Sequence, residues 1–236
     1  MSLDSYQLKY IALISMIVDH CGVIFRPVLP KMVYLTMRGV GRLAFPIFSF
    51  LLVEGFFHTR DRNRYLARLV LFMVLSEIPF DLALKGTVWT LIHKAPLSAV
   101  MDWSGQNVFL TLSLGLAAMM IMDRFGEDNS RGLLTLVAFS CLGEFLHCDY
   151  RSTGVMTILL FYLVRKYKRL PLVCAWLPLM VLGIYSHVQL FCILSLPLIL
   201  CYNGKKGRGS RYLFYVAYPG HIIVLLLIRL AQVYLR

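Results

Sequence analysis

Between residues 170 and 203 the chain contains no aspartate, glutamate, lysine or arginine. Such a run belongs in hydrocarbon or in a protein core, and about 20 residues of helix already cross a bilayer core of roughly 30 Å. At about 1.5 Å of rise per residue the run is too long for one crossing. We therefore divide it near Ser186, where polar residues interrupt it.

The rest of the chain repeats this pattern of apolar segments separated by short polar loops. The segments predict an all-α, polytopic transmembrane helical bundle with eight or nine membrane segments, which forms a single domain over residues 1–236. The apolar segments are 8–28, 34–57, 65–84, 107–122, 132–147, 152–165, 170–185, 187–202 and 212–233.

Composition and charge support a membrane protein. Charged residues make up 15% of the chain and the mean hydropathy is +0.71, whereas soluble domains carry about 25% charged residues. The net charge of +12 comes from cations between apolar runs, which is the positive-inside pattern and not that of a nucleic-acid-binding surface. We expect contact with membrane lipid, and no nucleic acid as a partner.

The same cations predict the orientation. The loops 58–68, 165–169 and 204–211 are strongly basic, and we expect them in the cytoplasm, with the N-terminus on the same side. Loops near 26–34, 85–106, 148–152 and 186 carry few cations and should face outward. The six cysteines form no CxxC pair, and His147-Cys148-Asp149 lacks further ligands at metal spacing, so we expect no metal.

Ionisable residues inside apolar segments are functional candidates, because each costs about 2.5–3.5 kcal/mol to insert. Two histidines lie at similar depth in the first and last segments and suggest one polar cavity, although a neutral histidine bonded within the bundle is the simpler reading. Several carboxylates and arginines also recur at helical spacing in the outer half, where we expect them to form ion pairs. These residues are His20, His221, Asp19, Arg38, Arg42, Glu77 and Asp81.

A basic cluster at the cytoplasmic end of segment two offers a second kind of site. Arginine binds phosphate bidentately, so the cluster is a candidate clamp for a phosphorylated ligand. Contact with lipid head groups and plain topology are the alternatives. The cluster contains Arg60, Arg62, Arg64 and Arg68, with Glu54 and His58 one turn apart beside it.

Six motifs in order resemble the TraX family, named for a conjugal pilin N-acetyltransferase and related to integral-membrane acyltransferases. They are "VDHCGVIF", "GRLAFPIFSFLLVEGFFHTR", "SEIPFDL", "QNVFLTLSLG", "DYRSTGVMTILLFYL" and "LFYVAYPGHIIVL". The family pattern is matched by Asp19 and His20, by Gly41, Arg42, Ala44, Phe45 and Pro46, by Asn107, by Tyr150 and Gly154, and by His221.

The resemblance implies a bacterial inner-membrane acetyltransferase that takes acetyl-CoA from the cytoplasm. The acceptor would be an amine or a hydroxyl on a protein N-terminus, a glycan, a lipid or a small molecule. We expect His20, and otherwise His221, to act as general base or to carry the acyl group. A proton-coupled small-molecule transporter is the alternative function, and a non-catalytic scaffold is the third.

The remaining expected roles divide between the two ends of the bundle. We expect Asp19, which cannot face the same way as His20 on a helix, to pair with an arginine close to the catalytic histidine. Arg42 or Asn107 should stabilise the oxyanion. CoA should be held by Glu54, His58, Arg60, Arg64 and Arg68, and the polar cavity should include Arg38, Glu77, Asp81 and Tyr150.

Overall fold

The computed structural model describes residues 2–84, 104–125, 129–167, 176–184 and 186–234. Within these ranges helices are the regular secondary structure, joined by turns and loops and accompanied by one isolated β-bridge, which confirms the predicted all-α class for that part of the molecule. Most of the predicted outward loop 85–106 and part of the basic loop 165–169 lie outside the described residues. The α-helices are α1 (Ser5–Ile24), α2 (Lys31–Gly41), α3 (Ala44–His58), α4 (Arg62–Leu84), α5 (Val108–Arg124), α6 (Asn129–Phe145), α7 (Arg151–Lys166), α8 (Trp176–Gly183), α9 (Leu196–Leu200) and α10 (Arg211–Tyr234).

Three described helical stretches are long and apolar enough to cross a bilayer, which identifies a membrane protein. They are Ser5–Ile24, Lys31–His58 and Tyr212–Gln232, and His187–Leu200 is a shorter apolar stretch. Side chains buried among the helices form one core that joins α1, α3, α5, α7 and α10. Its members include Leu8, Ile47, Leu116, Ile158 and Ile222.

The second predicted segment is interrupted where a single helix was expected. α2 ends at Gly41 and α3 begins at Ala44, and the amides of Arg42 and Leu43 bond to carbonyls three residues back. Pro46 lies in the first turn of α3 and has no N–H to offer the carbonyl of Arg42. The tightened turn is the result, and it sets the Arg42 side chain between the two helices.

The predicted segment 187–202 is also different from a plain α-helix. His187–Ser195 forms a 3₁₀ helix, and only the short α9 follows it. The side chain of Ser186 caps the 3₁₀ helix by accepting a bond from the amide of Gln189. Pro197, at the start of α9, cannot continue an α-helical bond pattern into the preceding turn. A 3₁₀ helix rises about 2.0 Å per residue, so the segment reaches further than an α-helix of equal length.

Several helix termini meet at one end of the bundle, which we call the basic end. An ion pair of 2.6 Å joins Arg62 in α4 to Asp123 in α5. Leu3, just before α1, pairs with the backbone around Tyr202 through bonds to Cys201 and Asn203. The basic end therefore brings the start of the chain against the predicted basic loop 204–211.

Candidate functional site

Two imidazole rings from opposite ends of the sequence are in direct contact. Nδ1 of His20 lies 2.7 Å from Nε2 of His221, and the rings stack with their centroids 4.9 Å apart. α1 and α10 pack side by side, which brings the two histidines together. The sequence suggested that both histidines line one polar cavity. The structure places the two rings within hydrogen-bond distance of each other, but neither lines the cavity described below.

A further contact fixes which nitrogens carry protons. Nδ1 of His221 lies 2.7 Å from the carbonyl oxygen of Ala217, one helical turn earlier. A carbonyl only accepts, so Nδ1 of a neutral His221 holds the proton and its Nε2 accepts from Nδ1–H of His20. The remaining nitrogen of His20, Nε2, then carries a lone pair. This arrangement makes His20 the ring that can accept a proton from another molecule.

Tyr218 packs against both histidines and was not predicted from the sequence. Its ring centroid lies 6.2 Å from that of His20 and 5.7 Å from that of His221, in edge-on geometry. Phe109 of α5 packs edge-on against the same ring at 5.0 Å. Tyr218 precedes His221 by three residues and so shares its helix face, which is the signal that the sequence offered.

Asp19 forms a double ion pair beside the histidines. Its two carboxylate oxygens lie 2.6 Å from Nη1 of Arg38 and 2.7 Å from Nη2 of Arg42. The α2 backbone comes so close that a Cβ at Gly41 would overlap the Asp19 carboxylate. Asp19 is only 7% exposed. A buried carboxylate of this kind stays ionised because its positively charged partners compensate for the loss of hydration.

The other nitrogens of Arg42 are also engaged. Nε donates to the carbonyl of Arg38 at 3.2 Å, and Nη1 donates to Oε1 of Gln189 at 3.0 Å and to the hydroxyl of Tyr150 at 3.4 Å. Gln189 lies on the 3₁₀ helix, is 1% exposed and was not predicted. These contacts make Arg42 the centre of a buried polar cluster, with Tyr150 and Arg38 at its edge.

Asp149 adds a second carboxyl group to this cluster and was also missed. It lies in the turn between α6 and α7, next to Tyr150, whose backbone is left-handed at φ 61°. Burial raises the pKa of Asp149 to about 6, although the positive charge of Arg42 opposes the rise. The cluster therefore holds a carboxyl group that is less acidic than usual.

Asn107 serves as the N-terminal cap of α5. Its Oδ1 accepts from the amide of Phe109 at 3.0 Å, and its Nδ2 donates to the carbonyl of Met73 at 2.9 Å and to the carboxylate of Glu77. Asp81 lies one turn beyond Glu77 on α4 and is buried. Asn107 and Glu77 thus join α4 to α5 rather than contacting Asp19.

A cavity of about 760 Å³ opens at the basic end and reaches inward between α1, α3, α4, α5 and α10. Its inner wall is apolar and ends at Met16, Phe109 and Tyr218, the last of which touches both histidines. The predicted CoA-binding residues all line it: Glu54, His58, Arg60, Arg64 and Arg68. Ligand pockets for small molecules and cofactors commonly measure about 300–1,000 Å³.

Cations outnumber available carboxylates around this cavity. Glu54 is bound to Arg165 of α7 at 2.6 Å, and Asp61 is bound to Arg64 at 2.9 Å. Nε of Arg68 is buried without a hydrogen-bond partner in the described part of the chain. Glu54 therefore anchors α3 to α7, and the arginines leave the cavity mouth positively charged.

Metal ligands do not converge within the part of the chain that the structure describes. Among the described residues no group of three histidine, cysteine, aspartate or glutamate side chains could hold a metal ion. The described cysteines, including Cys148, are free thiols.

Comparisons with known proteins agree with the motifs. The sequence model of the family described as "TraX protein" matches residues 4–229. A protein of Dichelobacter nodosus described as "Probable fimbrial assembly protein FimC, serogroup H1" is 34% identical over 241 residues, covering 94% of each chain. No solved structure matches the chain significantly.

Proposed function

The chain is a member of the TraX family, and from that premise we propose that it is a membrane-embedded acyltransferase. In this proposal acetyl-CoA enters from the cytoplasm, and its acetyl group passes to an amine or hydroxyl acceptor. The observation that carries the proposal is a cavity with a cationic mouth and an inner end at Tyr218, whose ring packs edge-on against both paired histidines.

The dimensions of the cavity suit a CoA thioester. Arg60, Arg64 and Arg68 lie at the mouth, where phosphates of the donor would be bound. The helix rise between Lys9, which lines the mouth, and His20 is roughly 16 Å at 1.5 Å per residue. An extended pantetheine arm is roughly 15–20 Å long, by comparison with a short extended peptide. The thioester would therefore reach the depth of the histidines.

His20 is the base that the geometry favours. As the acceptor nitrogen or oxygen attacks the thioester carbonyl carbon, its proton moves to Nε2 of His20. The C–S bond then breaks, and the same proton passes to the sulfur of departing CoA. General-base catalysis of this kind contributes about 10²–10⁴-fold. In the alternative route, Nε2 of His20 attacks the thioester carbonyl carbon and the C–S bond breaks, which releases the CoA thiolate. The acceptor then takes the acetyl group from His20, and the acceptor's proton passes to the thiolate.

His221 positions His20 in this scheme. Its Nε2 accepts the Nδ1–H of His20 and so holds the His20 ring in the tautomer that exposes Nε2 as a base. When His20 takes up the acceptor's proton, the same bond stabilises the imidazolium. The Asp19–Arg42 cluster fixes the neighbouring turn of α1 through buried ion pairs. We assign Arg42 to this structural role because its donors are already engaged.

We further propose that the protein lies in a bacterial inner membrane. It would cross that membrane nine times, with its N-terminus in the cytoplasm. The basic end gathers the starts of α1, α4 and α10 and the ends of α3, α5 and α7. The alternating directions are those of a chain that crosses repeatedly. Cations concentrate at this end, as expected for cytoplasmic loops.

The similarity to a fimbrial assembly protein makes a fimbrial subunit the first acceptor to test. The donor half of the reaction can be tested without it. Purified protein in detergent would be given acetyl-CoA with a generic amine acceptor, and release of the CoA thiol would be measured. We expect His20→Gln to lower the rate by at least about 10²-fold, with CoA binding retained.

The matched control is His187→Gln, which alters an exposed histidine at the start of the 3₁₀ helix. This variant should keep the wild-type rate. Wild-type protein that is folded but neither binds nor cleaves acetyl-CoA would contradict the proposal and favour the transporter alternative. A fully active His20→Gln protein would remove His20 from the chemistry while leaving the acyltransferase intact.

A further inference from the structure

The part of the cavity wall formed by α1 and by the loop that leads into α10 carries a second set of cations. Lys9 of α1 and Lys206 of the loop before α10 both line the cavity. The two ammonium groups are close enough to interact electrostatically. Neither lysine forms an ion pair with any described residue. Two like charges held together at a cavity mouth repel each other, and a bound anion would relieve that repulsion.

The lysines are held in place by the surrounding structure. Nζ of Lys9 lies 4.8 Å from the ring centroid of Tyr6 and 5.6 Å from that of Phe214, both cation–π contacts. Lys9 is half-buried, so its position is set by packing as well as by these rings. A preorganised ammonium loses little freedom when it binds a ligand, which favours binding.

The loop that carries Lys206 is fixed against the start of the chain. The amide of Ser5 donates to the carbonyl of Lys205 at 2.9 Å, beside the bridge at Leu3. Gly207 has a φ of 74°, and a Cβ there would overlap the Asp4 carboxylate. Only glycine combines that conformation with so close an approach. The backbone of this loop thus presents Lys206 to the cavity in a defined position.

An aromatic face lies on the same wall. Tyr212, at the start of α10, lines the cavity and is 51% exposed. Exposed aromatic rings bind nucleobases by stacking. The wall therefore pairs two ammonium groups with an exposed ring, a combination suited to a phosphorylated nucleoside.

We propose that Lys9 and Lys206 bind the 3′-phosphate of the acyl-CoA donor and that Tyr212 stacks on its adenine, an inference that rests on the function proposed above. In CoA the adenine and the 3′-phosphate share one ribose, so both must bind on the same wall. The diphosphate lies between that ribose and the pantetheine arm, and it faces the guanidinium forks of Arg60, Arg64 and Arg68. Paired lysines act as point charges and suit a terminal phosphate.

The test compares CoA with dephospho-CoA, which differs only in the 3′-phosphate. Calorimetry on the full-length protein in detergent would give both dissociation constants. We expect wild-type protein to bind CoA at least tenfold more tightly than dephospho-CoA. In the double variant Lys9→Gln with Lys206→Gln, CoA affinity should fall at least tenfold and dephospho-CoA affinity should stay constant. The ratio of the two constants should then approach one.

Three further variants separate this subsite from general charge effects. Arg60→Gln with Arg64→Gln should weaken the binding of both ligands equally and leave the ratio of the two dissociation constants unchanged. Lys9→Arg with Lys206→Arg, which keeps the charge, should preserve the preference for CoA. Lys31→Gln, at the far end of the bundle and exposed, should change neither constant. Thermal unfolding in detergent would establish that each variant is folded.

Two results would overturn the inference without touching the acyltransferase proposal. One is a folded lysine double variant that keeps the wild-type preference for CoA. The other is an equal loss of affinity for CoA and dephospho-CoA in that variant. That result would mean that the lysines contribute only to a general positive potential. If wild-type protein binds neither ligand, the donor itself is wrong and both proposals fail together.

Discussion

Asp19 and Gly41 form a contact that leaves no room for a side chain on α2. The Cβ of any other residue at position 41 would overlap the Asp19 carboxylate, which is already held by Arg38 and Arg42. We therefore expect Gly41→Ala to destabilise the protein by about 1–3 kcal/mol, the usual cost of overpacking a well-packed site. Thermal unfolding in a fixed detergent would measure it as a lowered midpoint.

Gly220→Ala is the matched control for that substitution. Gly220 lies within α10 next to His221, and a Cβ there meets nothing within 4 Å. Alanine favours a helix over glycine by about 1 kcal/mol, so the midpoint should stay constant or rise. An equal loss of stability in both variants would show that Gly41 is not a special contact.

The half-buried Asp149 should make stability depend on pH. Its pKa rises from 3.8 to about 6 on folding because burial disfavours the charged form. The folded state therefore binds more protons than the unfolded state between these values, and stability falls as pH rises through that window. The unfolding midpoint of wild-type protein should fall relative to that of Asp149→Asn between pH 4 and pH 6. Above pH 6 the two curves of midpoint against pH should run parallel.

Asp149→Glu offers a check on this explanation, because it keeps a carboxyl group in the same turn. That variant should retain a pH-dependent decline, whereas Asp149→Asn should lose this contribution. Parallel curves for wild-type protein and Asp149→Asn across the whole window would show that Asp149 does not titrate there.

The contacts of an individual side chain could be predicted only where they depend on spacing along a single helix. Spacing along α1 predicts that Asp19 and His20 face different neighbours, and the structure agrees. Spacing does not reveal that Asp19 binds both arginines while Glu77 binds Asn107. Those choices depend on how distant helices pack. Lys9, Gln189 and Tyr218 were missed for the same reason.

At the scale of elements, apolar runs predicted where helices lie, but not where they change form. The tight turn at Arg42 and the 3₁₀ helix at His187–Ser195 both interrupt runs that hydropathy treats as continuous. Pro46 and Pro197 lie just after these changes and were visible in the sequence. Proline restricts the hydrogen bonds of the preceding turn, whereas hydropathy averages over it.

On the proposed function, the loop between α3 and α4 should contribute most directly to donor binding. Arg60 and Arg64 line the cavity mouth, so we expect Arg60→Gln with Arg64→Gln to weaken CoA binding about tenfold or more at low salt. Screening shortens electrostatic reach to about 8 Å at physiological ionic strength. The difference from wild-type protein should therefore shrink as salt is added during calorimetry.

Arg124→Gln tests whether any cation at the basic end has this effect. Arg124 ends α5, is exposed and lies outside the residues that line the cavity. CoA affinity in this variant should match wild-type protein. A loss equal to that of the double variant would assign the effect to the net charge of the whole face.

At the scale of the whole molecule, the distribution of cations defines an orientation. Ion pairs and backbone bonds bring the basic loops to one end of the bundle. From the positive-inside rule we propose that this end lies in the cytoplasm. Lys31, which starts α2, lies at the opposite end of the first crossing.

Cysteine labelling in intact cells would test this orientation. In a variant that lacks the six native cysteines, Lys31→Cys should react with a membrane-impermeant maleimide, whereas Lys205→Cys should react only after permeabilisation. The reverse pattern would invert the proposed topology and move the donor cavity to the outer side.

The two histidines also have a consequence for biogenesis. His20 enters the membrane with the first helix, but its partner His221 lies on the last one. The backbone bridge between Leu3 and Tyr202 likewise forms only after the segment that contains Tyr202 has been synthesised. A nascent or truncated chain therefore has neither the paired imidazoles nor a complete donor cavity. On the proposed function, synthesis that stops early would leave a fragment unable to transfer an acetyl group.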